Sequence, residues 1–130
     1  MSVNSRAKGC RGERELAGVI RDYGWDARRG QQFSGSPDSP DIVHSIPGLH
    51  IECKRTKRLN LYDALSQAKG DKADDEIPVV CHRRDRCEWV AILPLEDFLK
   101  IMREHEEFVP EDFNAENKSD DAGHIASDTA

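Results

Sequence analysis

A chain of 130 residues, 37% hydrophobic and 34% charged, is the size of one domain with a modest core. It holds no run near the ~18 apolar residues of a membrane span, and its start, Met-Ser-Val-Asn-Ser-Arg-Ala-Lys, lacks the apolar stretch of a signal peptide, so a cytoplasmic location is expected. The net charge of −6 argues at first against an anionic partner, but residues 111–130 carry −5 of it, leaving −1 for residues 1–110.

Residues 1–8 are polar and are expected to fray. From Cys10 to Tyr23, the residues Leu16, Val19, Ile20 and Tyr23 recur at helical spacing, and Gly24 is placed to stop the helix. Glu13 lies on the edge of that apolar stripe, an unusual place for a carboxylate. A short strand is expected at Trp25–Arg29 with Trp25 and Ala27 inward, followed by a Gly-, Ser- and Pro-containing loop from Gln31 to Ser39. Ile42 and Val43 after Asp41, and Leu49 to Lys54, read as two strands around the turn Ile46-Pro47-Gly48, and hence as a β-hairpin.

A second helix is marked by Leu61, Ala64, Leu65 and Ala68 and ends near Gly70. Ile77–His82 and Cys87–Leu93, with Trp89 in the core, form two strands around Arg83–Arg86. Pro94 opens a last helix with Leu95, Phe98, Leu99 and Met102 as its core face. The order α-β-β-β-α-β-β-α implies an α/β fold, a mixed sheet flanked by helices. Residues 1–110 read as one domain and residues 111–130 as an acidic, disordered tail. Cys10, Cys53, Cys81 and Cys87 form no CxxC pair, and reduced thiols are expected.

The chemistry concentrates at residues 40–54. Antiparallel pairing about Pro47 would set Asp41 beside Glu52 and Cys53. Alternation along the second strand puts Glu52 and Lys54 on one face, with Ile51 and Cys53 on the other. Two carboxylates so close raise each other's pKa unless a cation joins them. Hard oxygen donors of this kind suit magnesium or manganese. Lys54-Arg55-Thr56-Lys57-Arg58 puts four bases in five positions, a basic patch beside an acidic centre, as an enzyme acting on a phosphate backbone requires. His44 and His50 flank the turn and read as surface or packing residues.

Asp41 preceded by Pro40, then ten residues, then Glu52-Cys53-Lys54 resembles the PD-(D/E)xK signature of restriction-type nucleases. Gly9-Cys10-Arg11-Gly12-Glu13-Arg14-Glu15-Leu16 is similar to the opening helix of archaeal-type Holliday junction resolvases. Ser34-Gly35-Ser36 leading to Pro40-Asp41-Ile42, and Leu61-Tyr62 with Gln67-Ala68, are similar to later stretches of that family. The likeness spans roughly residues 8–93 and implies a restriction-endonuclease-like fold.

Carried across, the resemblance makes Glu13, Asp41, Glu52 and Lys54 the catalytic set. Asp41 and Glu52 would bind Mg2+, with Mn2+ as a substitute, and Glu13 would complete or orient the metal's shell. Lys54 would position water or meet charge on the phosphate. Ser34, Gln67, Arg14, Arg55, Lys57 and Arg58 would contact DNA or support the site. The expected activity is a metal-dependent endonuclease that cuts four-way junctions in branched DNA as a homodimer. The alternatives are a general or nicking nuclease of the same fold and a non-catalytic DNA-binding relative.

Overall fold

A computed structural model of the chain describes residues 3–30 and 41–106, with residues 3–8 described by their backbone. The elements follow the order α1 (Val3–Asp22), β1 (Ala27–Arg29), β2 (Ile42–His44), β3 (Leu49–Arg55), α2 (Leu61–Asp71), β4 (Ile77–Arg83), β5 (Val90–Ile92) and α3 (Leu95–Glu104). Ser34 and residues 111–130 lie outside the described residues.

α1 begins at Val3, about two turns before the expected start and through the segment read as frayed. It stops as its sequence dictates. Gly24 N–H donates to the Arg21 carbonyl at 2.9 Å, and Gly24 takes φ +95°, which costs a residue without a Cβ nothing. The buried stripe is Gly12, Leu16 and Ala17, with Ile20 packed beside them. Val19 and Tyr23, expected in the core, are 36% and 82% exposed. The small residues set the facing side because they let the helix lie close to β3. A Cβ on Gly12 would stand 2.5 Å from the Arg55 Cβ. Gly12→Ala is therefore expected to cost about 1–3 kcal/mol through overpacking, more than the up to ~1 kcal/mol alanine gains in a helix. Urea unfolding checks this, and an unchanged or raised midpoint would show that the contact yields freely.

β1 and β2 pair antiparallel, Ala27 opposite His44 and Arg29 opposite Ile42. Ala27 is buried, while Trp25, expected inward, precedes the strand and is 43% exposed. β3 pairs parallel with β4 over seven residues, from Leu49↔Ile77 to Arg55↔Arg83. β5 joins β4 antiparallel. The expected β2–β3 hairpin is therefore corrected: among the described residues the two strands belong to different ladders. The reason lies in the turn, where Gly48 at φ +74° gives its carbonyl to the Ile77 N–H at 2.8 Å. The chain leaving the turn is thereby committed to β4.

Side chains alternate across β3 and β4, and a helix covers each face. Ile51 and Val79 join Leu16, Ala17, Ala27 and Ile42 on the α1 side, with Cys53 and Cys81 packed against them. Val80 meets Ala64 and Ala68 of α2 on the other. Asn60 caps α2, its side chain accepting from the Asp63 N–H. Leu61 lies at the rim, 38% exposed. Glu15 of α1 ties the far ends of the strands, taking the Arg83 guanidinium and the Trp89 indole N–H. The architecture is an α/β fold with a mixed sheet flanked by helices, as in restriction-endonuclease-like proteins.

The chain divides into two compact units, residues 1–94 and 95–130. In the second, α3 carries Glu96 and Asp97 in its first turn, where they favour the helix dipole. Leu95, Phe98, Leu99 and Met102, expected to be its core face, are 43–68% exposed.

Candidate active site

The edge of β3 that faces away from β4 organises the site. Gly30 N–H, just beyond β1, donates to the Asp41 carbonyl at 2.9 Å, which fixes that residue at the entrance to β2. From there the Asp41 Oδ2 accepts the Cys53 N–H at 2.9 Å. A carboxylate thus satisfies a backbone donor of β3 that no strand among the described residues pairs. Asp41 occupies the edge itself, so it reaches both faces of the strand.

On one side of it stands Glu13 of α1, whose Oε2 accepts from Arg29 Nε at 3.1 Å. Burial raises the Glu13 pKa first, then the charge of Asp41, with Arg29 opposing both. On the other side Glu52 is 4% exposed at the centre of β3. Its carboxyl is pushed up to about 8, chiefly by burial, then by the charge of Asp41 and hydrogen bonding with Asp41 and Asp71. Glu13, Asp41 and Glu52 therefore wrap one strand edge, with the charge of Asp41 raising the proton affinity of the other two. The Cys53 thiol beside them is pushed up by burial and by the charges of Asp41 and Glu13, and burial pushes Cys81 up to about 11. These thiols are poor nucleophiles and ligands.

Lys54 follows Glu52 on the same face and donates from Nζ to the Gln67 Oε1 at 3.0 Å. α2 returns antiparallel to β3, and two strand residues (~6.6 Å) match four helical ones (~6 Å). As Gln67 stands over Lys54, Asp71 one turn later stands over Glu52. His50, 8% exposed, meets Glu52 from the other direction, with Nε2 2.9 Å from Oε1. His50, Glu52 and Asp71 each offer a ligand atom within 4.8 Å of the others.

Sequence reasoning did not find His50 or Asp71 as members of this cluster. The i, i+2 spacing of His50 and Glu52 on a strand is the signal for one, and the i, i+4 spacing of Gln67 and Asp71 on a helix is the signal for the other. His44 keeps to the turn, where its Nδ1 accepts the Ile46 N–H at 3.1 Å.

The basic residues separate. Arg14 on α1 and Lys57 and Arg58 after β3 are exposed. Arg55 points to the α1 side, paired with Asp85 at 2.9 Å and Glu15 at 3.9 Å. Arg29 pairs with Glu13 rather than standing in solvent.

Two carboxylates with raised pKa values, a third at a strand edge between them and a lysine on the same face form a donor set suited to a hard divalent cation. Without one, Glu52 carries a proton at neutral pH. No helix among the described residues is long and apolar enough to cross a membrane. Residues 4–70 match the family described as archaeal Holliday junction resolvase (Hjc). No curated protein matches the chain.

Proposed function

The chain belongs to the archaeal Holliday junction resolvase family, whose members are nucleases of the PD-(D/E)xK type, and from that premise we propose that it is a metal-dependent endonuclease of branched DNA. On this reading it hydrolyses phosphodiester bonds symmetrically at four-way junctions, as a homodimer acting with the DNA in the cytoplasm. A two-fold axis relating two protomers matches the two strands to be cut. Residues 1–110 would act as the nuclease domain and residues 111–130 as an acidic appendage.

The observation that carries the reading is the convergence of Glu13, Asp41 and Glu52 on one strand edge beside Lys54. Asp41 and Glu52 would hold Mg2+, or Mn2+ in its place, with Glu13 completing or orienting that shell. A divalent cation bound there supplies a polarised phosphoryl oxygen and a water of lowered pKa. Asp41 is held for this by its own backbone and by the Cys53 N–H, and Arg29 holds the Glu13 carboxylate by a hydrogen bond and opposes the rise in its pKa. His50 and Asp71 fix the Glu52 carboxyl from both sides. Lys54, steadied by Gln67, meets negative charge as it develops on the phosphate or positions the attacking water. Ser34, Arg14, Lys57 and Arg58 would contact the DNA backbone, while Arg55 braces α1 against β3.

The substrate is tested by comparing a synthetic four-way junction with a linear duplex of the same arms in magnesium. The junction is expected to be cut at least ~100-fold faster, a difference of about 2.7 kcal/mol in transition-state binding. Equal rates on the two would move the function to a general nuclease.

A further inference from the structure

The face of the sheet that carries Glu52 and Lys54 continues across β4 and β5. Lys54 is in register with His82, and His82 with Val90; Glu52 is likewise in register with Val80, and Val80 with Ile92. Paired residues point to the same side, so Val90 and Ile92 lie on the sheet face of Lys54 and Glu52, two strand spacings away and beyond the α2 residues Ala64 and Ala68 that pack on Val80. There a cleft of about 530 Å³ opens between the loop after β3 and the β4–β5 turn.

Its floor is aliphatic, with Leu61, Val90 and Ile92. Its rim is basic, with Lys57 and Arg58 from one side and Arg84 from the other, against one acid, Glu88. Lys57, Arg58 and Arg84 form no ion pair with any described residue; Arg84 Nε reaches only the Cys87 Sγ, at 3.1 Å. The turn is held in a costly shape, since Arg86 adopts φ +65°, a conformation that disfavours a residue with a Cβ. His82 Nε2 is occupied by the Thr56 carbonyl at 2.9 Å, which locks the two walls together. Seven of the eleven residues lining this cleft come from β4, β5 and their turn, beyond the residues that match the family.

We propose that this cleft is a second site for the DNA strand: a backbone phosphate sits on Lys57, Arg58 and Arg84, with its sugar and base edge over Leu61, Val90 and Ile92. The inference rests on the nuclease reading, which makes DNA the ligand of a basic cleft. A charge-only surface would not need the aliphatic floor of Leu61, Val90 and Ile92.

The test uses the full chain and a four-way junction in EDTA, read as affinity, with the fold of each variant checked by thermal melting. Arg84→Ala should weaken binding about tenfold and lower the salt slope by about one, the double variant Arg58→Ala/Arg84→Ala should weaken it further, and Arg84→Lys should restore most of it. Neutralising single phosphates as methylphosphonates should weaken the wild type at a position away from the cut, and the double variant should be indifferent at that same position. Unchanged affinity and salt slope in Arg84→Ala, or an interference pattern shared by wild type and double variant, would overturn the second site. A wild-type protein that neither binds nor cuts junctions would instead sink the nuclease reading itself.

Discussion

Asp41→Asn is expected to abolish cleavage while the fold and the grip on DNA survive. An asparagine still offers an oxygen to the Cys53 N–H, the bond that places this residue at the edge of β3, so the local structure is kept. What is lost is one of the two carboxylates that would hold the metal. Charge stabilisation by a bound metal is worth several kcal/mol, and ~4 kcal/mol corresponds to ~10³ in rate. The loss should therefore be at least of that order in single-turnover cleavage. Junction affinity in EDTA should stay equal or become tighter, because a negative charge beside phosphate has gone. A variant that folds and cuts at the wild-type rate in magnesium would show that Asp41 holds no metal.

Glu52→Gln should separate stability from activity in the opposite sense. The Glu52 carboxyl is raised from 4.5 to about 8, first by burial and then by Asp41. Between those values the folded protein keeps a proton that the unfolded chain has lost. By linkage, the metal-free protein then loses stability as pH rises across that window. A glutamine has no proton to lose, and its amide can still meet His50. In EDTA the variant should melt above the wild type at pH 8, and the gap should close towards pH 5, while cleavage in magnesium falls by at least ~10³. Magnesium should in turn raise the wild-type melting temperature more at pH 8 than at pH 5 and do little for the variant. Equal melting temperatures at both pH values would show that Glu52 is not held against like charge.

Much of this was legible in the residues, and the exceptions have a common cause. Helical spacing found α1 and α2, Gly24 marked a stop, and the element order was readable because turn residues punctuate it. Strand pairing was not. Local signals around Pro47 announce a reversal of the chain, yet they say nothing of whether β1 or β3 offers β2 the better partner. The structure gives β2 to β1 and β3 to β4. Asp41 nonetheless lies against Cys53, through its side chain rather than through a ladder. Trp25 and Tyr23 misled because large apolar residues at an element's end often remain at the surface. The sequence placed Glu13, Asp41, Glu52 and Lys54 near one another by strand alternation and by resemblance. It did not reveal His50 and Asp71, because their approach to Glu52 depends on how α2 lies over β3. That tertiary relation becomes readable once Lys54 and Gln67 are seen to touch.

The most direct measurement is to map the cuts made on all four strands of a synthetic junction in magnesium, in EDTA, and after magnesium is restored. Paired cuts on two opposing strands, placed symmetrically about the centre, lost with EDTA and recovered with magnesium, are the expected result. Intact strands in magnesium with the junction still bound, or cutting that persists in EDTA, would contradict a carboxylate-held metal centre at the edge of β3.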